Sequence, residues 1–196
     1  MNHLAHLCLA RPEPQSRMGN LLGDFRRGTE PAAFPRAVRR GLENHYAVDR
    51  FTDQHPRVRE ARGLFSPARR RFAGVALDVL FDHFLLRHWE RFHHQDADDL
   101  IEHLYRDLQQ TRPLMPGPMQ RATAAMVRQD RFRAYASLDT VGLALDRMAE
   151  RIRFENPFAG IIDEIRLHER ELEHAFLEFY PELQQRVRQW AIEARD

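Results

Sequence analysis

The chain has 196 residues, 43% hydrophobic and 30% charged, which suits one globular domain over 1–196, or at most two small ones, and excludes collagen-like, disordered and disulfide-stapled chains. Cys8 is the single cysteine and cannot form an internal disulfide, so a reducing, cytoplasmic setting is expected. Net charge is +1 and all 30 basic residues are arginine; so complete a lack of lysine reads as a composition bias, and arginine content is not taken as a sign of nucleic acid.

Residues 1–10 are moderately apolar, carry no charged leader and run into Arg11-Pro12, so no signal peptide is expected. No stretch approaches the ~18 uninterrupted apolar residues of a membrane span. Residues 11–35 are aperiodic, with short helices at best. Beyond them apolar residues recur at helical spacing and alternating β-branched runs are missing, which predicts an all-α fold, a helical bundle. A first long helix is expected over 35–51. Ser66-Pro67 suggests a cap and first-turn proline opening a second, continuous to about 92. A shorter helix over 96–108 has Asp96, Asp98 and Asp99 complementing its dipole. Residues 113–118, Pro-Leu-Met-Pro-Gly-Pro, break the pattern as a loop or hinge. Helices then resume over 119–132, 137–152 and 156–180, and Pro181 is expected to open a final one to 194.

Three clusters could carry chemistry. In 19–28, glycines flank Asp24, Arg26 and Arg27, a carboxylate and two guanidiniums suited to a cation and a phosphate; the bland alternative is a salt bridge at a helix end. His45 and Asp49 share one helix face, a donor pair for Mn²⁺, Fe²⁺ or Zn²⁺ or an ordinary surface contact. Asp78 and Asp82, followed by His83, sit in a run that is apolar nearly all round. Such a helix should be buried, and a buried carboxylate costs several kcal/mol unless paired with a cation or an arginine network.

Taken together, Met-Asn-x-Leu-Ala-His-Leu at 1–7, Gly-Asn-Leu-Leu-x-Asp-Phe-x-Arg-Gly at 19–28, His45-x3-Asp49-x2-Thr52-Asp53 and Leu77-Asp78-x3-Asp82-His83-Phe84 resemble the acyl carrier protein phosphodiesterases nearly end to end. That family is similar to the HD-type phosphohydrolases. The resemblance implies a helical, metal-dependent hydrolase, with Mn²⁺ the usual activator and Fe²⁺ or Mg²⁺ as other candidates. It would cleave the phosphodiester joining 4′-phosphopantetheine to a serine of holo acyl carrier protein, leaving the apo form. The Asp82-His83 order reverses the dyad that names the larger group. Carried over, the metal-site candidates are Asp24, His45, Asp49, Asp78, Asp82, His83 and His6, with Asp24 as ligand or general base and Arg27 stabilising developing charge.

Acyl carrier proteins are acidic, and residues 1–75 carry 14 arginines against 7 acids. Arg26, Arg36, Arg39, Arg40, Arg57 and Arg59 are therefore expected docking contacts; no nucleic-acid or membrane partner is expected. The competing readings are an HD-like phosphohydrolase acting on a nucleotide or other small phosphodiester, and a non-enzymatic helical binding module.

Overall fold

The computed structural model describes residues 1–194, and every regular element among them is helical. In chain order the α-helices are α1 (His3–Leu9), α2 (Pro14–Leu22), α3 (Arg36–Gln54), α4 (Pro56–Gly63), α5 (Ala73–Arg87), α6 (Trp89–Phe92), α7 (Ala97–Thr111), α8 (Gly117–Arg128), α9 (Arg131–Ala134), α10 (Leu138–Ala149), α11 (Ile162–Leu167) and α12 (Glu169–Trp190). The all-α expectation holds. No helix among the described residues is long and apolar enough to cross a membrane.

Helix α5 is the spine. Ala76, Leu77, Val79, Leu80, Phe81, Phe84 and Leu85 are all buried, and Phe81 and Phe84 meet Phe176 of α12 at ring-centre distances of 5.4 and 5.9 Å. Helix α2 fills part of the stretch expected to be aperiodic and lies against α3 at two glycines. A Cβ on Gly19 would sit 2.2 Å from the Val38 carbonyl oxygen, and one on Gly41 2.3 Å from that of Ser16; larger residues would force the two backbones apart.

Several expected boundaries move for identifiable reasons. Ser66-Pro67 does not open a helix: the Ser66 amide and hydroxyl both donate to Glu164, at 2.9 and 2.8 Å, and α5 starts only after a 3₁₀ turn at Arg70–Phe72. The single helix expected to 92 breaks at His88, whose φ of −112° and ψ of 28° end α5. Of the loop or hinge expected over 113–118, only residues 115 and 116 lie outside helical turns: a 3₁₀ turn at Arg112–Leu114 leads into buried Met115, and α8 begins at Gly117. Pro181 lies inside α12 instead of opening a new helix. Burial of Phe176, Phe179, Tyr180 and Leu183 on both sides of it outweighs the missing hydrogen bond. Asp96 goes further than dipole complementation: its carboxylate accepts from the amides of Asp98 (2.8 Å) and Asp99 (3.2 Å) as the N-cap of α7.

Candidate metal centre where helices 1, 3 and 5 meet

The α2–α3 contact fixes His45 before any ligand is considered. Asn44 donates to the Asn20 side chain at 2.9 Å, and His45 Nδ1 lies 2.7 Å from the Asn20 carbonyl oxygen. A carbonyl only accepts, so Nδ1 carries the proton. Gly23 leaves room for the ring, since a Cβ there would fall 2.1 Å from His45 Nε2.

One turn further along α3, Asp49 stands between two imidazoles. Its Oδ2 is 3.1 Å from His45 Nε2 and its Oδ1 is 3.0 Å from His6 Nε2 of α1. The two rings stack at 4.1 Å between centroids. With Nδ1 protonated, a neutral His45 would point a lone pair at a carboxylate, so a proton or a metal cation has to lie between them. Burial works against charge on His45, but the hydrogen bond and charge of Asp49 outweigh it and raise its pKa. Burial dominates at His6 and pushes it down to about 4. Burial would raise Asp49, yet the two imidazoles and the Met1 amine hold it well below the usual carboxylate range.

His6, His45 and Asp49 form the group of possible ligands among the described residues, their donor atoms all within 4.8 Å of one another. Two imidazole nitrogens and a carboxylate suit Mn²⁺, Fe²⁺ or Zn²⁺. The carbonyl-anchored Nδ1 of His45 is the usual outer support of a histidine ligand.

The remaining expected site residues are placed differently. Asp24, in the 3₁₀ turn Gly23–Phe25, lies at the rim, its Oδ2 3.3 Å from His3 Nε2. Burial opposes its ionisation, but the His3 hydrogen bond and the charges of His3, His45 and His6 lower its pKa. His3, which sequence reasoning left out, therefore belongs to the constellation. Its signal is its i,i+3 spacing from His6 on one helix.

Asp78 pairs with the Met1 amine at 3.0 Å, and the same amine is 3.2 Å from Asp49 Oδ1. Asp82, expected as a ligand, instead accepts from the amides of Leu4 (3.1 Å) and Ala5 (3.0 Å), one on each oxygen. It caps α1 from 77 residues away, meeting donors that the N-cap residue Asn2 leaves without a side-chain partner. Burial raises Asp82 to about 6, against the pull of those amides. His83 also departs from expectation: it turns to the Tyr135 carbonyl, 2.7 Å from Nδ1.

Arg27 occupies an exposed turn and makes no ion pair among the described residues. Arg26 lies 5.5 Å over the ring of Tyr46, which packs edge-on against His45. Of the arginines expected to dock a partner, Arg40 pairs with Glu43, and Arg57 with Glu60 and Glu178. Arg36, Arg39 and Arg59 are exposed.

Comparison with known proteins gives a consistent result. The family model described as acyl carrier protein phosphodiesterase matches residues 1–183. Proteins named acyl carrier protein phosphodiesterase are similar along nearly their whole length. That of Yersinia enterocolitica is 38% identical over 182 residues, covering 92% of this chain and 94% of its own. That of Serratia proteamaculans is 35% identical over 197 residues, covering 96% and 98%. The Escherichia coli O6:H1 protein is 33% identical over 195 residues, covering 98% and 100%. No solved structure matches.

Proposed function

The chain belongs to the acyl carrier protein phosphodiesterase family, and on that premise we propose that it hydrolyses holo acyl carrier protein to the apo form and 4′-phosphopantetheine with a divalent cation, Mn²⁺ foremost, held by His6, His45 and Asp49. It is a hydrolase acting on phosphodiester bonds. The observation that carries the metal reading is Asp49, whose two oxygens face imidazole nitrogens, one of them on a ring already committed to donate elsewhere.

A divalent ion there supplies Lewis acidity toward phosphoryl oxygens and acidifies water. The protein's own groups do the rest. Asn20 and Gly23 hold His45 in one orientation. Asp82 fixes the first turn of α1 and with it His3 and His6. Asp24, kept ionised by its histidine neighbours and 43% exposed at the rim, is placed to accept the proton of an attacking water. Water adds to phosphorus as its proton passes to Asp24, the bond from phosphorus to the serine oxygen breaks, and that oxygen leaves as a serine hydroxyl with the proton that Asp24 received.

The test is incubation with holo acyl carrier protein and Mn²⁺, followed by mass spectrometry. Loss of the prosthetic arm that chelation abolishes is the expected result. Cleavage at full rate in chelator refutes the metal requirement, and an unaltered holo protein refutes the substrate.

A further inference from the structure

Helix α10 has two usable faces and the core takes only one. Val141, Leu145 and Ala149 are buried. The flank with exposed Leu143 and Arg147, edged by partly buried Met148 and continued by Arg151, forms one wall of a surface groove of about 390 Å³, with Arg131 across from it and Tyr135 at the floor. Leu143 is 58% exposed, unusual for a large apolar side chain in this molecule.

Arginines dominate the charge of the groove. Some arginines elsewhere find carboxylates nearby, as Arg62 with Asp53, Arg69 with Glu164, and Arg87 with Glu169 and Glu173. No acidic residue lines the groove. Of the acids nearby in sequence, Asp130 pairs with Arg133, Asp139 with Arg166, and Asp146 accepts from the Gly160 amide at 2.9 Å, while Glu150, beside Arg151, is exposed and outside the groove lining. Arg131 donates to the neutral Gln129 side chain at 3.2 Å. Three guanidiniums thus border an apolar strip that no carboxylate of the groove lining neutralises.

The groove is linked to the start of α1 through Tyr135. Tyr135, buried at its floor, accepts from His83 through its carbonyl. Its phenol lies beside Asn2, immediately before the helix that carries His3 and His6.

We infer that this groove docks an acidic amphipathic helix of the protein substrate, its carboxylates on Arg131, Arg147 and Arg151 and an apolar side chain against Leu143 and Met148. The inference rests on the function proposed above. Arginine and apolar positions alternating at helical spacing match helix-in-groove recognition. A phosphate polyanion would leave Leu143 and Met148 unused, which sets the protein reading ahead of a nucleic-acid one.

The test compares wild type with Arg147→Glu/Arg151→Glu and with Leu143→Ser. Binding of apo and holo acyl carrier protein is measured by calorimetry in chelator, and cleavage by mass spectrometry with Mn²⁺. All three positions are at the surface, so thermal unfolding should stay near wild type. The charge-reversed protein should bind both forms at least about tenfold more weakly, raise KM alike and leave kcat within about twofold. The Leu143→Ser protein should lose about threefold in affinity. Charge-reversed protein that binds within about twofold of a cleaving wild type overturns the groove alone. Weakened binding of the holo form with unchanged binding of the apo form also overturns it, because the groove would then hold the prosthetic arm. A wild type that neither binds nor cleaves the carrier protein overturns the functional reading and this inference with it.

Discussion

Helices α3 and α5 both deliver carboxylates to the buried start of α1, and the two sets are neutralised in different ways. On α5, Asp82 is met by two backbone amides and Asp78 by the Met1 amine. On α3, Asp49 is met by the same amine on one oxygen, but also by two imidazole nitrogens, one of which needs a proton or a metal to face it at all. A carboxylate inside an apolar helix is therefore a poor metal signal when helix amides lie within reach. A carboxylate set among acceptors is a better one.

The sharpest way to break that contrast is to remove the α3 acid. Asp49→Asn should lower cleavage of holo acyl carrier protein by about a thousandfold or more, as expected for loss of a metal ligand, with helicity by circular dichroism unchanged. Activity within about tenfold of wild type would take Asp49 out of the site.

Removing the α5 acid should instead appear in stability. Burial raises Asp82 to about 6 from the ordinary aspartate value of 3.8. The folded state therefore favours the protonated form. That contribution is complete below the unfolded pKa and is lost as pH rises through about 6. Asp82→Asn lacks this loss, so in chelator its unfolding free energy should gain on wild type by on the order of 2 kcal/mol between pH 4 and pH 7. A gap that stays constant with pH would contradict the burial assigned to Asp82.

Gly23→Ala sharpens the α3 side. The added Cβ would fall 2.1 Å from His45 Nε2, and displacement of that ring should cost at least about tenfold in kcat. A normal kcat would show that the orientation of His45 is not critical. The smallest effect expected is on salt: KM for the carrier protein should rise a few-fold between about 0.05 and 0.3 M NaCl as arginine contacts are screened, with kcat changing less. A salt-independent KM would remove charge from docking altogether.

Much of this was legible in the sequence where the interaction is local. Helical periodicity marked the fold class, the i,i+4 spacing of His45 and Asp49 marked a shared face, and the acids at 96–99 marked the start of α7. What was not legible depends on distant partners. The amides that satisfy Asp82 come from Leu4 and Ala5, and no local pattern announces a cap supplied across the fold. Pro181 misled for a related reason, since its cost is local but the aromatic packing that offsets it comes from α5 and α6. His83 shares a dipeptide with Asp82, yet the helical step of about 100° between neighbours turns it toward Tyr135 instead of α1.

The account turns on where the cation binds, and Mn²⁺ titration of chelator-treated protein by calorimetry tests this directly, using wild type, Asp49→Asn and Asp82→Asn. One ion per chain is expected in wild type and in Asp82→Asn, with binding abolished in Asp49→Asn. Mn²⁺ binding that survives in Asp49→Asn and disappears in Asp82→Asn would place the ion on α5 and contradict the account.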